Sequence, residues 1–342
     1  MKEIEPSEFL EFASAQPVID VRSPSEFAQG HIPGAINLPL FNDDERARVG
    51  TTYKKTGRSQ AFDLGLDIVG PKMSQFVQSV RGFAPEKKIL VHCWRGGMRS
   101  ASMSWLLETA GFRVNVLKGG YKAYRSYIRE NLVTGRKFVI LGGLTGSGKT
   151  QWLHKLAEAG EAVADLEQLA NHRGSVFGGI GLGTQPTNEQ FENDLFQRLQ
   201  EIDHQQVIWL EDESRQIGRI FLPEPIYLVI KNSPKIRIQI SLERRVKIIL
   251  DEYAGLDREK LATSINQISK RLGGLITSQC LELLDAGDFD RVVRLLLPYY
   301  DKTYTHSTIT YDQQAVADLD LVNSEPETYV AELIEKKRSL IQ

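Results

Sequence analysis

Phe138-Val139-Ile140-Leu141-Gly142-Gly143-Leu144-Thr145-Gly146-Ser147-Gly148-Lys149-Thr150 is an apolar run that passes through a glycine-rich turn into a helical pattern over residues 150–159. A short apolar run bounded by turn residues reads as a fully buried strand. Gly143, Gly146, Ser147, Gly148, Lys149 and Thr150 have the spacing of a phosphate-cradling loop. In such a loop backbone N–H groups converge on an anion, the lysine neutralises it, and the threonine hydroxyl can ligate Mg²⁺. A ligand-free glycine turn would explain neither the full spacing nor the strand and helix on either side. The cradle does not by itself specify a nucleotide. It would equally hold a diphosphate ester, and the sequence carries no signature for adenine or guanine.

Downstream, Gln206-Val207-Ile208-Trp209-Leu210 and Ile226-Tyr227-Leu228-Val229-Ile230 read as two more buried strands. From about Ser241 the chain reads as helical, with Leu/Ile-rich segments at 281–284 and 292–297. The strand ending at Leu210 runs into Glu211-Asp212-Glu213-Ser214, where phosphate-loop folds place acids that coordinate Mg²⁺ or polarise water. Glu211 and Asp212 are the candidates, and spacing does not choose between them; a solvated strand end is the plain alternative. A polar cluster after the loop's helix, Asp165-Leu166-Glu167 with Asn171-His172-Arg173-Gly174-Ser175, adds further candidates. Asp165 and Glu167 are read as acids or Mg²⁺-linked groups, and His172, Arg173 and Ser175 as substrate contacts. A lone histidine is as often structural as functional.

Upstream, the apolar segments 17–21, 88–92 and 113–117 alternate with helical patterns, including one over 100–110 whose apolar face is Met103, Leu106 and Leu107. This βα alternation predicts a mostly parallel sheet. The polar, basic stretch 129–137 separates the two α/β patterns and predicts domains at 1–134 and 135–342. In the first, His92-Cys93-Trp94-Arg95-Gly96-Gly97-Met98-Arg99-Ser100 lies where an apolar strand gives way to a helix. Such a loop turns backbone N–H groups into a concavity at a helix N-terminus, which favours a thiolate at Cys93. Gly96 and Gly97 permit the curvature, and Arg99 can close over a bound anion. A half-buried structural cysteine is the plain alternative. Cys280 has no such surroundings and is read as an inert core thiol.

The composition is that of an ordinary globular chain: 342 residues, 42 Lys+Arg against 44 Asp+Glu, 41% hydrophobic and 25% charged. That length suits two domains and excludes disordered, collagenous and repeat classes. No apolar run is long enough to span a bilayer, and MKEIEPSEFLEF lacks the pattern of a secretory signal. Two cysteines exclude a disulfide framework and point to a reducing, cytoplasmic setting. A net charge of −2 leaves polyanion binding to local patches. Two stretches qualify. Residues 118–137 hold Lys118, Lys122, Arg125, Arg129, Arg136 and Lys137 interleaved with Tyr121, Tyr124 and Tyr127, and residues 231–250 hold Lys231, Lys235, Arg237, Arg244, Arg245 and Lys247. Basic side chains would follow an RNA backbone while aromatics stack on splayed bases. Ordinary solvated faces, with the tyrosines packed inward, are the competing reading.

Taken alone, a His-Cys pair followed by five residues and Arg-Ser fits cysteine phosphatases. The upstream blocks Asp20-Val21-Arg22-Ser23-Pro24-Ser25-Glu26-Phe27 and Gly30-His31-Ile32-Pro33-Gly34-Ala35-Ile36-Asn37-Leu38-Pro39, with Leu117-Lys118-Gly119-Gly120 downstream, instead resemble rhodanese domains over residues 4–128. Rhodaneses carry sulfur as a cysteine persulfide. The loop here is one residue longer than the common rhodanese form, which leaves room for a tetrahedral, phosphate-sized group. Within that resemblance Asp20 and Arg22 are expected to be a structural ion pair.

With the cysteine loop, the phosphate loop and the blocks 165–167 and 169–175 in one chain, nearly all of the sequence resembles the bacterial tRNA 2-selenouridine synthases. The resemblance implies an α/β architecture: an N-terminal rhodanese-like domain plus a C-terminal P-loop NTPase-like domain with a helical extension. It also implies a transferase acting on tRNA with wobble 2-thiouridine. In that family geranyl diphosphate alkylates the sulfur, and selenophosphate then supplies selenium. The implied catalytic residues are Cys93, Arg99 and Lys149, with Arg95, Gly96 and Gly97 at the cysteine loop as substrate contacts. No tightly bound cofactor is implied; Mg²⁺ is admitted at the phosphate loop. The competing activities are an ATP-dependent tRNA sulfurtransferase and a cysteine phosphatase fused to a kinase-like domain.

Overall fold

The computed structural model describes residues 1–253, 255, 257–309, 316–322 and 328–341, with the side chains of all of these but 253 and 303–309. The chain divides into two compact units, Met1–Leu132 and Val133–Gln342.

The first unit is built on five parallel strands: β1 (Lys2–Ile4), β2 (Val18–Asp20), β3 (Ile36–Asn37), β4 (Lys88–His92) and β5 (Arg113–Leu117). Their order is β1-β5-β4-β2-β3. Parallel strands lie between helices and are therefore apolar on both faces. Ile19, Val21, Ile89 and Val91 are fully buried, and Met103 and Leu107 of the helix Met98–Thr109 pack into the same core with Phe76 and Val80. Asp20 and Arg22 are buried in this unit as a pair. The Arg22 guanidinium donates to both Asp20 carboxylate oxygens and to the Gly30 carbonyl at 2.6–3.0 Å, and lies 3.8 Å from the Tyr121 ring centre. Both members of the pair are fully buried, as expected of a structural ion pair. His92 stands 3.7 Å from Asp20, and burial pushes its pKa down to about 4, so the ring is neutral at pH 7.

The tyrosines at 121 and 124 do not form a stacking surface. The helix Gly120–Asn131 buries Tyr121, Tyr124, Arg125 and Ile128, whose i, i+3, i+4, i+7 spacing is one helix face turned to the core. The RNA-stacking reading of that segment is corrected accordingly: Lys122 and Arg129 are exposed, but the two rings are packed inside.

The second unit carries β6 (Lys137–Gly143), β7 (Val207–Glu211), a hairpin of β8 (Gln216–Ile217) and β9 (Ile220–Phe221), β10 (Lys235–Gln239) and β11 (Val316–Asp320). The main sheet is parallel, in the order β11-β10-β6-β7, and Val163 bridges Trp209 in parallel beyond β7. Residues 226–230 are not a strand. They lie in the helix Glu224–Asn232, which Pro225 opens; Ile226 and Ile230 are buried while Leu228 is 49% exposed. Five apolar residues fit either element, and the proline with the i, i+4 burial decides for helix. The adjoining strand is β10, where Ile236 and Ile238 alternate inward.

Four of the six basic residues of the second stretch are engaged within the unit, which goes against reading it as an RNA face. Lys235 pairs with Asp212 at 2.8 Å and Arg237 with Asp318 at 2.9 Å. Arg244 donates to the Leu321 carbonyl at 3.2 Å and to the Tyr329 hydroxyl, and Arg245 holds Asp301. Beyond Ser241 the chain is helical as expected, except that β11 adds an edge strand. The helix Leu242–Tyr253 packs on Phe289–Ile309, which packs on Gly274–Asp285, which packs on Arg258–Gln267. Cys280 is buried there, and burial raises its thiol pKa to about 11, leaving it an inert core group. Among the described residues no helix is long and apolar enough to cross a membrane.

Breaking the Asp20–Arg22 pair strands a buried charge, which typically costs about 3–5 kcal/mol. Asp20→Ala is expected to destabilise the first unit on that scale in urea unfolding; an unchanged midpoint would contradict the assignment.

Candidate active site

The first site starts where β4 ends. Cys93 follows His92, the chain turns through residues 94–97, and the helix Met98–Thr109 begins. Its Sγ lies 3.2 Å from the Ser100 hydroxyl and 4.0 Å from the Gly97 carbonyl. The turn is braced from below by the start of the helix Gly120–Asn131. Tyr121 N donates to the Cys93 carbonyl at 2.8 Å and Lys122 N to the Trp94 carbonyl at 3.0 Å. Gly120, at φ +63°, has no room for a side chain: a Cβ there would stand 2.4 Å from the Cys93 carbonyl oxygen and the Gly96 nitrogen. Arg95 and Gly97 are exposed at the turn, and Gly96 faces the Gly119-Gly120 backbone. Arg99 does not lie over the loop. Its guanidinium takes the Glu26 carboxylate at 2.6 and 3.3 Å, the two-pronged geometry that would also suit an oxyanion.

The second site is formed by β6, the turn after it and the helix Lys149–Glu158. Close backbone approach again requires glycine. A Cβ on Gly146 (φ +78°) would lie 2.6 Å from Ile249 Cδ1, and one on Gly143 2.6 Å from Ser147 Oγ. Lys149 Nζ donates to the Gly143 carbonyl at 3.1 Å, and Thr150 Oγ1 donates to Glu167 Oε2 at 2.9 Å. Arg245 Nε fixes the loop from outside by donating to the Thr145 carbonyl at 2.9 Å.

The acids separate into two sets. Asp165 caps the Leu166–Leu169 turn through Gln168 N at 2.7 Å and meets His154 at 2.7 Å. Glu211 is fully buried behind it and accepts from Leu166 N at 3.0 Å; burial, and then the Asp165 charge, raise its pKa well above the usual range. These two brace the fold. Asp212 reaches the cavity wall but is held by Lys235. Glu167 and Glu213 face the loop. Burial raises Glu167 despite the neighbouring Lys149, and burial followed by the Glu167 charge raises Glu213 to about 8. Glu213 was not among the candidates; the two-residue alternation past Glu211 is the signal that points to it. Arg173 and Ser175 also line the cavity, beside Gly174, whose missing Cβ leaves space for the Glu167 carboxylate. His172 is outside the cavity lining and packs against Gly178 and Gly218.

A cavity of about 720 Å³ opens from the phosphate loop. Lys149, Thr150, Arg173 and Glu213 line its polar part, and Ile249, Leu261, Ile265, Leu284, Phe289 and Val292 line its apolar part. Sequence reading missed this chamber, since its apolar wall is assembled from single side chains of four helices that meet only in the fold. Among the described residues no three His, Cys, Asp or Glu converge to hold a metal. The Thr150 hydroxyl and Glu167 carboxylate are hard oxygen donors beside Lys149, which fits Mg²⁺, an ion that keeps most of its shell as water and ligand phosphate.

Residues 136–335 match the family model described as tRNA 2-selenouridine synthase AAA domain, and residues 5–127 match the rhodanese-like domain. The chain is 39% identical over 328 residues to the tRNA 2-selenouridine synthase of Pseudomonas fluorescens strain Pf-5, covering 86% of this chain and 89% of that protein. To the Shewanella denitrificans strain OS217 protein of the same name it is 37% identical, covering 91% and 93%. The chain belongs to the tRNA 2-selenouridine synthase family. Membership makes it an enzyme of the transferase class, with a rhodanese-like first unit and a P-loop, AAA-like second unit.

Glu213 keeps its proton in the native state up to about pH 8, whereas an unfolded chain loses it near the ordinary value of 4.5. Its contribution to stability is therefore complete below the unfolded value and drains away as pH rises through the folded one. The urea midpoint of the protein is expected to fall between about pH 5 and pH 9, and to fall less in Glu213→Gln. Equal slopes would contradict the burial of this carboxyl.

Proposed function

We propose that this chain converts wobble 2-thiouridine in tRNA to 2-selenouridine in two steps, with geranyl diphosphate alkylating the sulfur and selenophosphate then supplying selenium. One observation carries the reading: the phosphate loop opens directly into an apolar chamber. A nucleotide would present a polar base and ribose to that wall, whereas a prenyl diphosphate matches both halves, an anion for the loop and a hydrocarbon for the helices.

Lys149, the loop amides and Arg173 stabilise charge on the departing diphosphate as the allylic C1–O bond breaks. Mg²⁺, when held by Thr150 and Glu167, would neutralise part of the same charge. The thiocarbonyl sulfur attacks C1, and the base loses its N3 proton. Alkylation converts a poor leaving group into one that departs as a thiol. Selenium transfer belongs to the Cys93 loop, where the longer turn suits a tetrahedral anion and Arg99 exchanges Glu26 for selenophosphate. The selenium adds at C2, the geranylthio group leaves as geranylthiol, and water cleaves the P–Se bond to release phosphate. A tRNA substrate supports a cytoplasmic setting.

Purified protein given 2-thiouridine tRNA and geranyl diphosphate alone is expected to yield S-geranyl-2-thiouridine by nucleoside mass spectrometry, and 2-selenouridine once selenophosphate is added. Lys149→Ala should slow geranylation by about a hundredfold or more, the usual effect of removing one stabilising group from a developing anion, yet still selenate tRNA already geranylated. Cys93→Ala should do the reverse. Undiminished geranylation in the first variant, or undiminished selenation in the second, contradicts the division of labour.

A further inference from the structure

Two cations in the phosphate-loop cavity are held by an aromatic ring. Arg215 lies two residues beyond Glu213, and Lys231 lies on the helix Glu224–Asn232. Both meet the ring of Tyr227 on that helix: the Arg215 guanidinium carbon stands 4.9 Å from the ring centre and Lys231 Nζ 5.4 Å. All three residues line the same cavity as Lys149 and Thr150. Arg215 is exposed, and among the described residues its guanidinium meets no carboxylate or carbonyl. Lys235 and Arg245, by contrast, are matched by Asp212 and Asp301. An aromatic face holds a cation in place without neutralising it, so the Arg215 charge stays available to a ligand.

We propose that Arg215 and Lys231, set in place by Tyr227, bind the phosphodiester backbone of the tRNA beside its target uridine. The inference rests on placing the alkylation in this cavity and deepens that reading. Every nucleotide of an RNA chain carries a backbone charge, so a uridine that reaches the phosphate loop brings phosphodiesters with it. On that reading the loop holds the donor's diphosphate, and Glu167 and Glu213 line the same space. A second anion there needs cations of its own, because a charge taken from water unpaired is costly. Arg215 offers a planar fork that can grip two phosphate oxygens, and Lys231 offers a point charge. Phosphate contacts fix register and orientation without reading sequence, which suits a site that must set one sulfur against one carbon. A phosphate of the prenyl donor presents the same chemistry, and the test separates the two sources.

The test uses the intact protein and a labelled anticodon stem-loop carrying 2-thiouridine, with binding followed by fluorescence anisotropy across a salt series. Arg215→Ala and Lys231→Ala are each expected to weaken stem-loop binding about tenfold, the scale of one charge-assisted hydrogen bond. Each should also lower the slope of log affinity against log salt by about one. Tyr227→Phe is expected to bind as wild type does, and Tyr227→Leu to bind about threefold more weakly. Replacing the two phosphodiesters that flank 2-thiouridine by methylphosphonates should weaken binding to wild type by about tenfold or more. The double variant Arg215→Ala/Lys231→Ala should not distinguish the two stem-loops. Geranyl diphosphate, titrated calorimetrically, is expected to bind these variants as it binds wild type. Unchanged stem-loop binding in both cation variants overturns the proposal. Loss of donor binding in them assigns the pair to the donor and overturns it equally. Wild type that binds the stem-loop in this charge-dependent way but transfers no prenyl group overturns the prenyl reading and leaves the backbone contact standing.

Discussion

Arg245 holds the second unit's site together. Its guanidinium, 5% exposed, donates to both oxygens of Asp301 at 2.6 and 3.0 Å and to the Thr145 carbonyl at 2.9 Å. One side chain thereby fastens the phosphate loop to two helices of the C-terminal extension. A buried arginine needs all these acceptors, because an unpaired charge in that position is strongly destabilising. The requirement has a geometric consequence. The helix that carries Arg245 also brings Ile249 against Gly146, so the apolar chamber begins at the cradle and not at a distance from it. The polar lining at the phosphate loop and the apolar lining beyond it thereby belong to one cavity.

The two units build their candidate loops by the same route. In each, a parallel strand ends, the backbone curls where glycine alone fits, and a helix starts. They differ in what lies beyond the turn. At Cys93 the carbonyls of the turn are held by Tyr121 N and Lys122 N, and Gly120 fills the space below, so Arg95 and Gly97 are exposed while Cys93 itself is buried. At Lys149 the turn opens into depth.

How much of this was legible in the sequence follows from how local each feature is. The cysteine and phosphate loops were readable because their chemistry lies in consecutive residues on a strand–turn–helix. The Asp20–Arg22 pair was expected from the rhodanese resemblance. Residues 226–230 were misassigned because five apolar residues carry no period, and Pro225 was the overlooked evidence. Lys235, Arg237 and Arg245 read as a basic patch, although their acidic partners Asp212, Asp318 and Asp301 lie 23, 81 and 56 residues away. Tyr121 and Tyr124 fit either an RNA-stacking surface or inward packing, and their spacing with Ile128 on one buried helix face decides for packing. The chamber was beyond reach because no segment of its wall is distinctive without its neighbours.

The most direct measurement is calorimetric titration of the intact protein with geranyl diphosphate and with inorganic diphosphate across a range of temperatures. If cradle and chamber act as one site, the prenyl ester binds at least about a hundredfold tighter and with a distinctly more negative heat-capacity change, since burial of apolar surface carries that sign. Equal affinities with equal heat-capacity changes would mean that the tail finds no chamber, and would contradict the account.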